Sequence, residues 1–358
     1  MRIPTPLYAF GAAAAIAALA GCSGGASAVN PMQGSQPNQS GQHVSPMSMS
    51  HVPSLMNPAK MMLVHPSGVQ PKGWMSKDVT SGLSLLYVSQ FYTNDIQVYR
   101  QTGTGQSPVG TIVNGVINPQ GMTVTANGDL YVANTGANNI LVFKKGHLNP
   151  YRTLADPGQY PVDVAVDNDG TVYASNIFDT SAIAGSVTVY APGANTPTHH
   201  YKVPNNLKVL FDALDDSSTL YVNYIDLNTG LGAMVKFYPG GNSAYPTAVT
   251  TGFPGGLQFD NTQDLLGLDQ TGPTFGGGFA SIYELPSGTP SFEFATDNGD
   301  PLGVALVRNE RHVYVSDAVF GVVHEYTYPG GVETNTISSG LGSSSPPFGV
   351  AADAGAPL

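Results

Sequence analysis

The stretch Pro119-Gln-Gly-Met-Thr-Val-Thr-Ala-Asn-Gly-Asp-Leu-Tyr-Val-Ala-Asn-Thr-Gly-Ala-Asn-Asn-Ile-Leu-Val-Phe143 decides the fold. It reads as three short strands. A proline, which has no N–H to give to a ladder, opens the first, so that strand starts at an edge. Asn127-Gly128 suits a tight hairpin turn, because both residues tolerate positive φ. Leu130-Tyr131-Val132-Ala133 and Ile140-Leu-Val-Phe143 then alternate as pleated, half-buried strands do.

The same unit recurs along the chain. Its central tetrapeptide returns as Leu86-Tyr87-Val88-Ser89, Val172-Tyr173-Ala174-Ser175, Leu220-Tyr221-Val222-Asn223, Leu265-Leu266-Gly267-Leu268 and Val313-Tyr314-Val315-Ser316, at spacings of 44, 42, 48, 45 and 48 residues. A period near 45 residues is that of a four-stranded propeller blade. Pro161, Pro254 and Pro301 open the equivalent first strands, and Pro192-Gly193, Pro239-Gly240 and Pro329-Gly330 turn into outer strands. The fourth copy, Val209-Leu210-Phe211-Asp212, lacks the opening proline.

The two ends complement each other. The first copy has no proline-opened strand before Tyr87, while the chain finishes on Pro347-Phe-Gly-Val-Ala-Ala with no copy to follow. The last strand is therefore expected to join the first copy and close a six-bladed, all-β propeller over residues 81–358. Closure removes the exposed edges that a linear array would leave.

Blade two looks like an NHL repeat, and the body as a whole resembles NHL-type and gluconolactonase-like propellers. Gluconolactonase-like enzymes hold a divalent cation at the channel mouth, with several ligands lying between the proline and the glycine of the inner strands. That resemblance implies a lactonase, hydrolase or lyase as one possible activity. The slot holds Gln120, Val162, Leu210, Gly255, Leu302 and Phe348 here, with no carboxylate for a hard cation. No cofactor or metal is expected in the body, and a non-catalytic role is favoured over an enzymatic one.

Composition agrees with a turn-rich β fold: 358 residues carry 43 glycines, 28 prolines and only 10% charged side chains. All 24 acids lie from Asp78 onward against 9 basic residues, a net of −15 that repels phosphate backbones and excludes nucleic acid as a partner.

Upstream of the repeats, Met1-Arg2 precedes an apolar run over residues 7–20 that ends in Leu19-Ala20-Gly21-Cys22. At 14 residues the run is too short to span a bilayer but fits the core of an export signal. Leu-Ala-Gly-Cys resembles the bacterial lipobox, which implies a signal peptide over 1–22, acylation of Cys22 and a lipid anchor in the cell envelope. Ser23 in place of Asp implies outer-membrane sorting in a Gram-negative host.

Residues 23–80 are rich in Ser, Pro, Gly and Met, lack any period, and read as a flexible tether. Met47, Met49, His51, Met61, Met62 and His65 offer soft ligands for Cu(I), or serve as uncharged filler.

One feature breaks the six-fold symmetry. From the anchor's second residue to the aromatic of the third strand is 12 residues in blades one, two and six, but 17, 16 and 17 in blades three, four and five. The enlarged loops bring Phe178, Tyr224, Ile225, Phe275 and Phe279 to the face where inner strands begin, beside Gln120 and Phe348. This face is the candidate binding surface for a protein or glycan on a monomeric propeller; the competing reading is a cap of loops folded over one another.

Overall fold

The structure, a computed structural model, describes residues 72–353 apart from 81, 102–105, 180–183, 205, 271–277, 297–298, 308 and 343. The signal peptide, Cys22, the copper candidates Met47, Met49, His51, Met61, Met62 and His65, and Phe275 all lie outside the described residues.

Six antiparallel sheets follow one another in chain order. Five have four strands each; the sixth, blade one, has five. The innermost strands are Pro119–Val124, Gln159–Val166, Leu207–Leu214, Pro254–Phe259, Pro301–Leu306 and Pro347–Ala352. The last of these closes the ring as expected, pairing with Leu85–Gln90 in the register Leu86↔Ala352, Tyr87↔Ala351 and Val88↔Val350.

Each innermost strand carries a register shift near its start, as between Pro119 and Met122 or Pro301 and Val304. In five of the six strands a proline near the start has no N–H to give the ladder, and the extra residue turns the strand into the axis; Leu207–Leu214 makes the same shift between Val209 and Asp212 without one. The connection after it differs from the expected two-residue hairpin. Strand ends at Val124 and Leu130 leave residues 125–129 as a wider turn, with Gly128 at φ 84° and Thr125 N–H bonded to the Asp129 carbonyl.

Blade one also begins earlier than the expected boundary at residue 81. Trp74–Met75 pairs with Gly110–Ile112 as a fifth, outermost strand, and Val79 is fully buried against Leu85, Tyr87 and Met122. Too short to show a period, this strand is covered by the compositional bias of the segment around it.

The blades are stitched near the axis by the fourth anchor residue. Ser89 donates to the Gln120 carbonyl (2.7 Å) and accepts from Gly349 N–H (2.7 Å), Asn223 donates to the Gly255 carbonyl (2.8 Å), and Ser316 donates to the Phe348 carbonyl. In blade two, where Ala133 has no donor, Thr135 bonds the Pro161 carbonyl at 2.6 Å instead. Polar groups buried between sheets are thus satisfied by the neighbouring blade, which ties blade spacing to hydrogen-bond geometry.

Candidate functional site

The mouth of the channel is narrowed by an apolar plug that leaves a small apolar pocket of about 40 Å³. Val162, Leu210, Leu302 and Phe348, four of the six residues in the proline–glycine slots, join Phe91, Tyr160, Ile177, Phe178, Ile225 and Phe253 in one buried apolar cluster. Phe91 stacks on Phe348 with ring centroids 5.0 Å apart, and Tyr160 packs on Phe178 at 4.8 Å. Gln120, the polar slot residue, is also buried and donates its amide to Thr135 at 3.0 Å. A divalent cation of the gluconolactonase kind does not fit this mouth, whose side chains are hydrocarbon where oxygen ligands are required.

The plug corrects part of the expected binding surface. Phe178 (0% exposed) and Ile225 (3%) do not form an exposed rim; they sit within strands Val172–Asp179 and Leu220–Asp226 and place their apolar side chains in the plug, because several hundred Å² of exposed hydrocarbon would be costly. Lys208 is drawn in with them. Its ammonium lies 5.5 Å from the centre of the Phe178 ring, and burial pushes its pKa down while Asp179 works in the other direction.

Beyond the plug lies a channel cavity of about 240 Å³, lined by the innermost strands of all six blades. Two carboxylates sit in its wall. Asp163 Oδ1 accepts from Val164 N–H (2.9 Å) and Oδ2 from Asp212 N–H (3.2 Å), while Asp212 Oδ2 accepts from the Ser175 hydroxyl (2.6 Å). Asp212 Oδ1 has no hydrogen-bond partner.

Burial, reinforced by the charge of Asp212, raises the Asp163 pKa well above the carboxylate range; burial pushes Asp212 up to about 7 against the lowering effect of Ser175. The sequence does carry a signal for this pair. Asp163 stands where blades two, six and one have Gly121, Gly303 and Gly349, and a Cβ on Gly121 would collide with the Asp163 carboxylate.

The remaining candidates, Tyr224 and Phe279, are half-buried and meet in a cleft of about 610 Å³ between blades four and five. Tyr283 completes its aromatic wall and Leu231, 52% exposed, stands at its rim. Asp226, Asp269 and Glu293 supply acceptors, and among the described residues no Lys, Arg or His lines it. Two of the three acids also shape the backbone: Asp269 accepts from Gly252 N–H (2.6 Å) and Phe253 N–H (3.0 Å), and Asp226 from Asn228 N–H (2.8 Å).

Blade six holds a separate buried cluster. His324 Nδ1 lies 2.8 Å from Glu333 Oε1 and Nε2 lies 3.7 Å from Asp317 Oδ2, so the ring is caged by carboxylates and does not line the channel.

No protein-family profile matches the chain, and no curated protein does. Solved structures do share the fold. A chain of a nidogen/laminin complex aligns at 15% identity over 75% of this chain and 98% of its own, with a TM-score of 0.58. A protein of unknown function from Bacteroides caccae aligns at 9% identity over 76% and 99% (TM-score 0.55), and the Kuenenia stuttgartiensis hydrazine synthase at 14% over 78% and 91% (TM-score 0.50). Neighbours this varied identify a propeller and leave function to the sites.

Proposed function

We propose that this chain is an exported lipoprotein whose propeller binds a protein or glycan, without chemistry of its own, in the cleft between blades four and five. The observation that carries this reading is the contrast between two concavities. The axial mouth is narrowed by the chain's own aromatic and aliphatic side chains to an apolar pocket of about 40 Å³, whereas the cleft is about 610 Å³ and combines an aromatic wall with hydrogen-bond acceptors. Sites of that composition bury apolar faces of a ligand and orient it by a few polar groups. The NHL-like repeat and the lipobox-like Leu19-Ala20-Gly21-Cys22 support a display role at the envelope surface.

The cleft is tested by affinity capture with the full-length protein from envelope extract, in parallel with Tyr224→Ser/Phe279→Ser. Capture of a specific partner is expected to fall at least about tenfold, as loss of interface anchors does, with the melting temperature unchanged. Equal capture by both proteins removes the cleft as the site. The anchor is tested separately: Cys22→Ser is expected to abolish fatty-acid labelling and move the protein from the membrane to the soluble fraction. Labelling that persists in Cys22→Ser contradicts it.

A further inference from the structure

Blade five presents Phe279, Ser281 and Tyr283 to the cleft from alternate positions of one strand, with Asp269 directly across from Phe279 and Glu293 directly across from Ser281 on the strands to either side. Residues opposite one another in a ladder share a face, so rings and carboxylates stand side by side. Blade four adds Tyr224 and Asp226, again two positions apart on one strand.

Neutral donors hold these acids. Asp226 Oδ1 accepts from the Asn228 N–H (2.8 Å) and the Asn206 amide (2.7 Å), and Glu293 Oε2 from the Ser281 hydroxyl (2.9 Å), which place the groups without pairing them to a base. Their field reaches the rings: burial raises the Tyr224 pKa and Asp226 adds to it, while burial raises that of Tyr283, where Ser281 opposes and Asp269 and Glu293 add. Residues 207–295, which span both blades, carry two bases against nine acids, nearly half of the body's net −15. Those two bases are committed elsewhere: Lys208 lies over the Phe178 ring and Lys236 beside those of Tyr221 and Tyr238, and neither lines the cleft.

Complementarity then narrows the ligand. Among the described residues, no side chain with a nitrogen donor lines the cleft. A sugar hydroxyl both donates and accepts, and would find only hydroxyls to donate to it from these side chains; an ammonium or guanidinium only donates. Carboxylates pair such a cation, and aromatic rings attract it and pack its apolar stem. We propose that the cleft takes Lys or Arg side chains from a basic segment of a protein partner, with Asp226, Asp269 and Glu293 pairing the charge and Tyr224 and Phe279 packing the stem. The inference rests on the cleft being the binding site, and it selects a protein over a glycan as the occupant.

Calorimetric titration of the full-length protein with the capped peptide Gly-Arg-Gly-Arg-Gly tests it, beside a citrulline counterpart that keeps the side-chain shape and loses the charge. One saturable site per chain is expected for the arginine peptide, with the citrulline peptide at least about tenfold weaker and an affinity that falls as sodium chloride is raised from about 50 to about 500 mM. Glu293→Gln, on an exposed outer strand, keeps an acceptor for Ser281 and is expected to fold, yet to weaken the arginine peptide at least about fivefold. Glu284→Gln, an equal change of charge at an exposed position outside the cleft, is expected to bind as the parent does. Should Glu293→Gln fail to fold, the two peptides and the salt dependence decide on the parent alone. No saturable binding, equal binding of the two peptides, or equal effects of Glu293→Gln and Glu284→Gln overturns the proposal. If Tyr224→Ser/Phe279→Ser loses its envelope partner while the peptides show none of these differences, the cleft stands and its cationic ligand falls.

Discussion

Ending the chain after Pro346 is expected to leave no folded, soluble protein. The lost segment contains the innermost strand of blade one, whose Phe348, Val350 and Ala351 are buried in three different apolar clusters. Burial of a Phe or Val side chain contributes roughly 1.5–3 kcal/mol and each net ladder hydrogen bond about 1 kcal/mol. Together the strand supplies about 10 kcal/mol, within the ~5–15 kcal/mol that holds a whole domain folded. The cut also uncovers Leu85–Gln90, whose residues are all buried in the closed ring, as an unpaired edge and so favours aggregation. If the truncated chain melts like the parent, the terminal strand does not close the ring.

Stability is expected to fall as pH rises from 5 to 8. Asp300 is pushed up to about 7 by burial and by the neighbouring Asp317, from an ordinary 3.8. In the native state it keeps a proton that the unfolded chain releases near pH 4. The native state therefore binds more protons across that interval, and stability declines as pH rises toward 7.

His324 acts in the same direction at higher pH. Burial disfavours its charged form, but hydrogen bonds to Asp317 and Glu333 outweigh this and lift its pKa above 6.5. The stabilisation is complete below that value and is lost as pH passes the raised one. Asp212, also held near 7, adds to the decline. One pKa unit corresponds to about 1.4 kcal/mol and 1 kcal/mol to about 2–4 °C in a domain of this size, so a drop on the order of 10 °C is expected. Asp300→Asn should flatten the lower part of the profile and His324→Gln the upper part. A melting temperature that climbs from pH 5 to pH 8 contradicts the assignment of these protons.

The architecture was legible because repetition amplifies a weak local signal. Any one Pro-x-Gly or Asn-Gly is ambiguous, but six copies near one spacing, with a spare strand at one end and a missing one at the other, allow few arrangements. The fifth strand at Trp74–Met75 escaped because two residues have no period.

At the functional face, loop length was readable and loop direction was not. The extra residues of blades three to five are plain in the spacing, yet nothing local says that Phe178 and Ile225 turn inward while Leu227 and Leu231 stay half exposed. That choice depends on Tyr160, Phe253 and Phe348, which come from other turns of the chain. The carboxylate pair was visible as Asp163 in a glycine position, but it gained meaning only when Asp212, 49 residues on, was placed against it.

Narrowing the mouth, opening the cleft between blades four and five and bringing Asp163 beside Asp212 all require one ring joined by its two ends. Residue-resolved hydrogen exchange of the native protein measures that joint directly, because opening free energies separate frayed segments from the globally protected core. In a closed ring the amides of Leu85–Gln90, and the Gly349 and Asp353 amides that bond Ser89 Oγ and the Leu85 carbonyl, exchange only through global unfolding, as slowly as those of Leu130–Asn134 in an interior blade. Exchange of the Gly349 and Asp353 amides orders of magnitude faster than the rest, at the rate of a frayed terminus, would show that the ring is open.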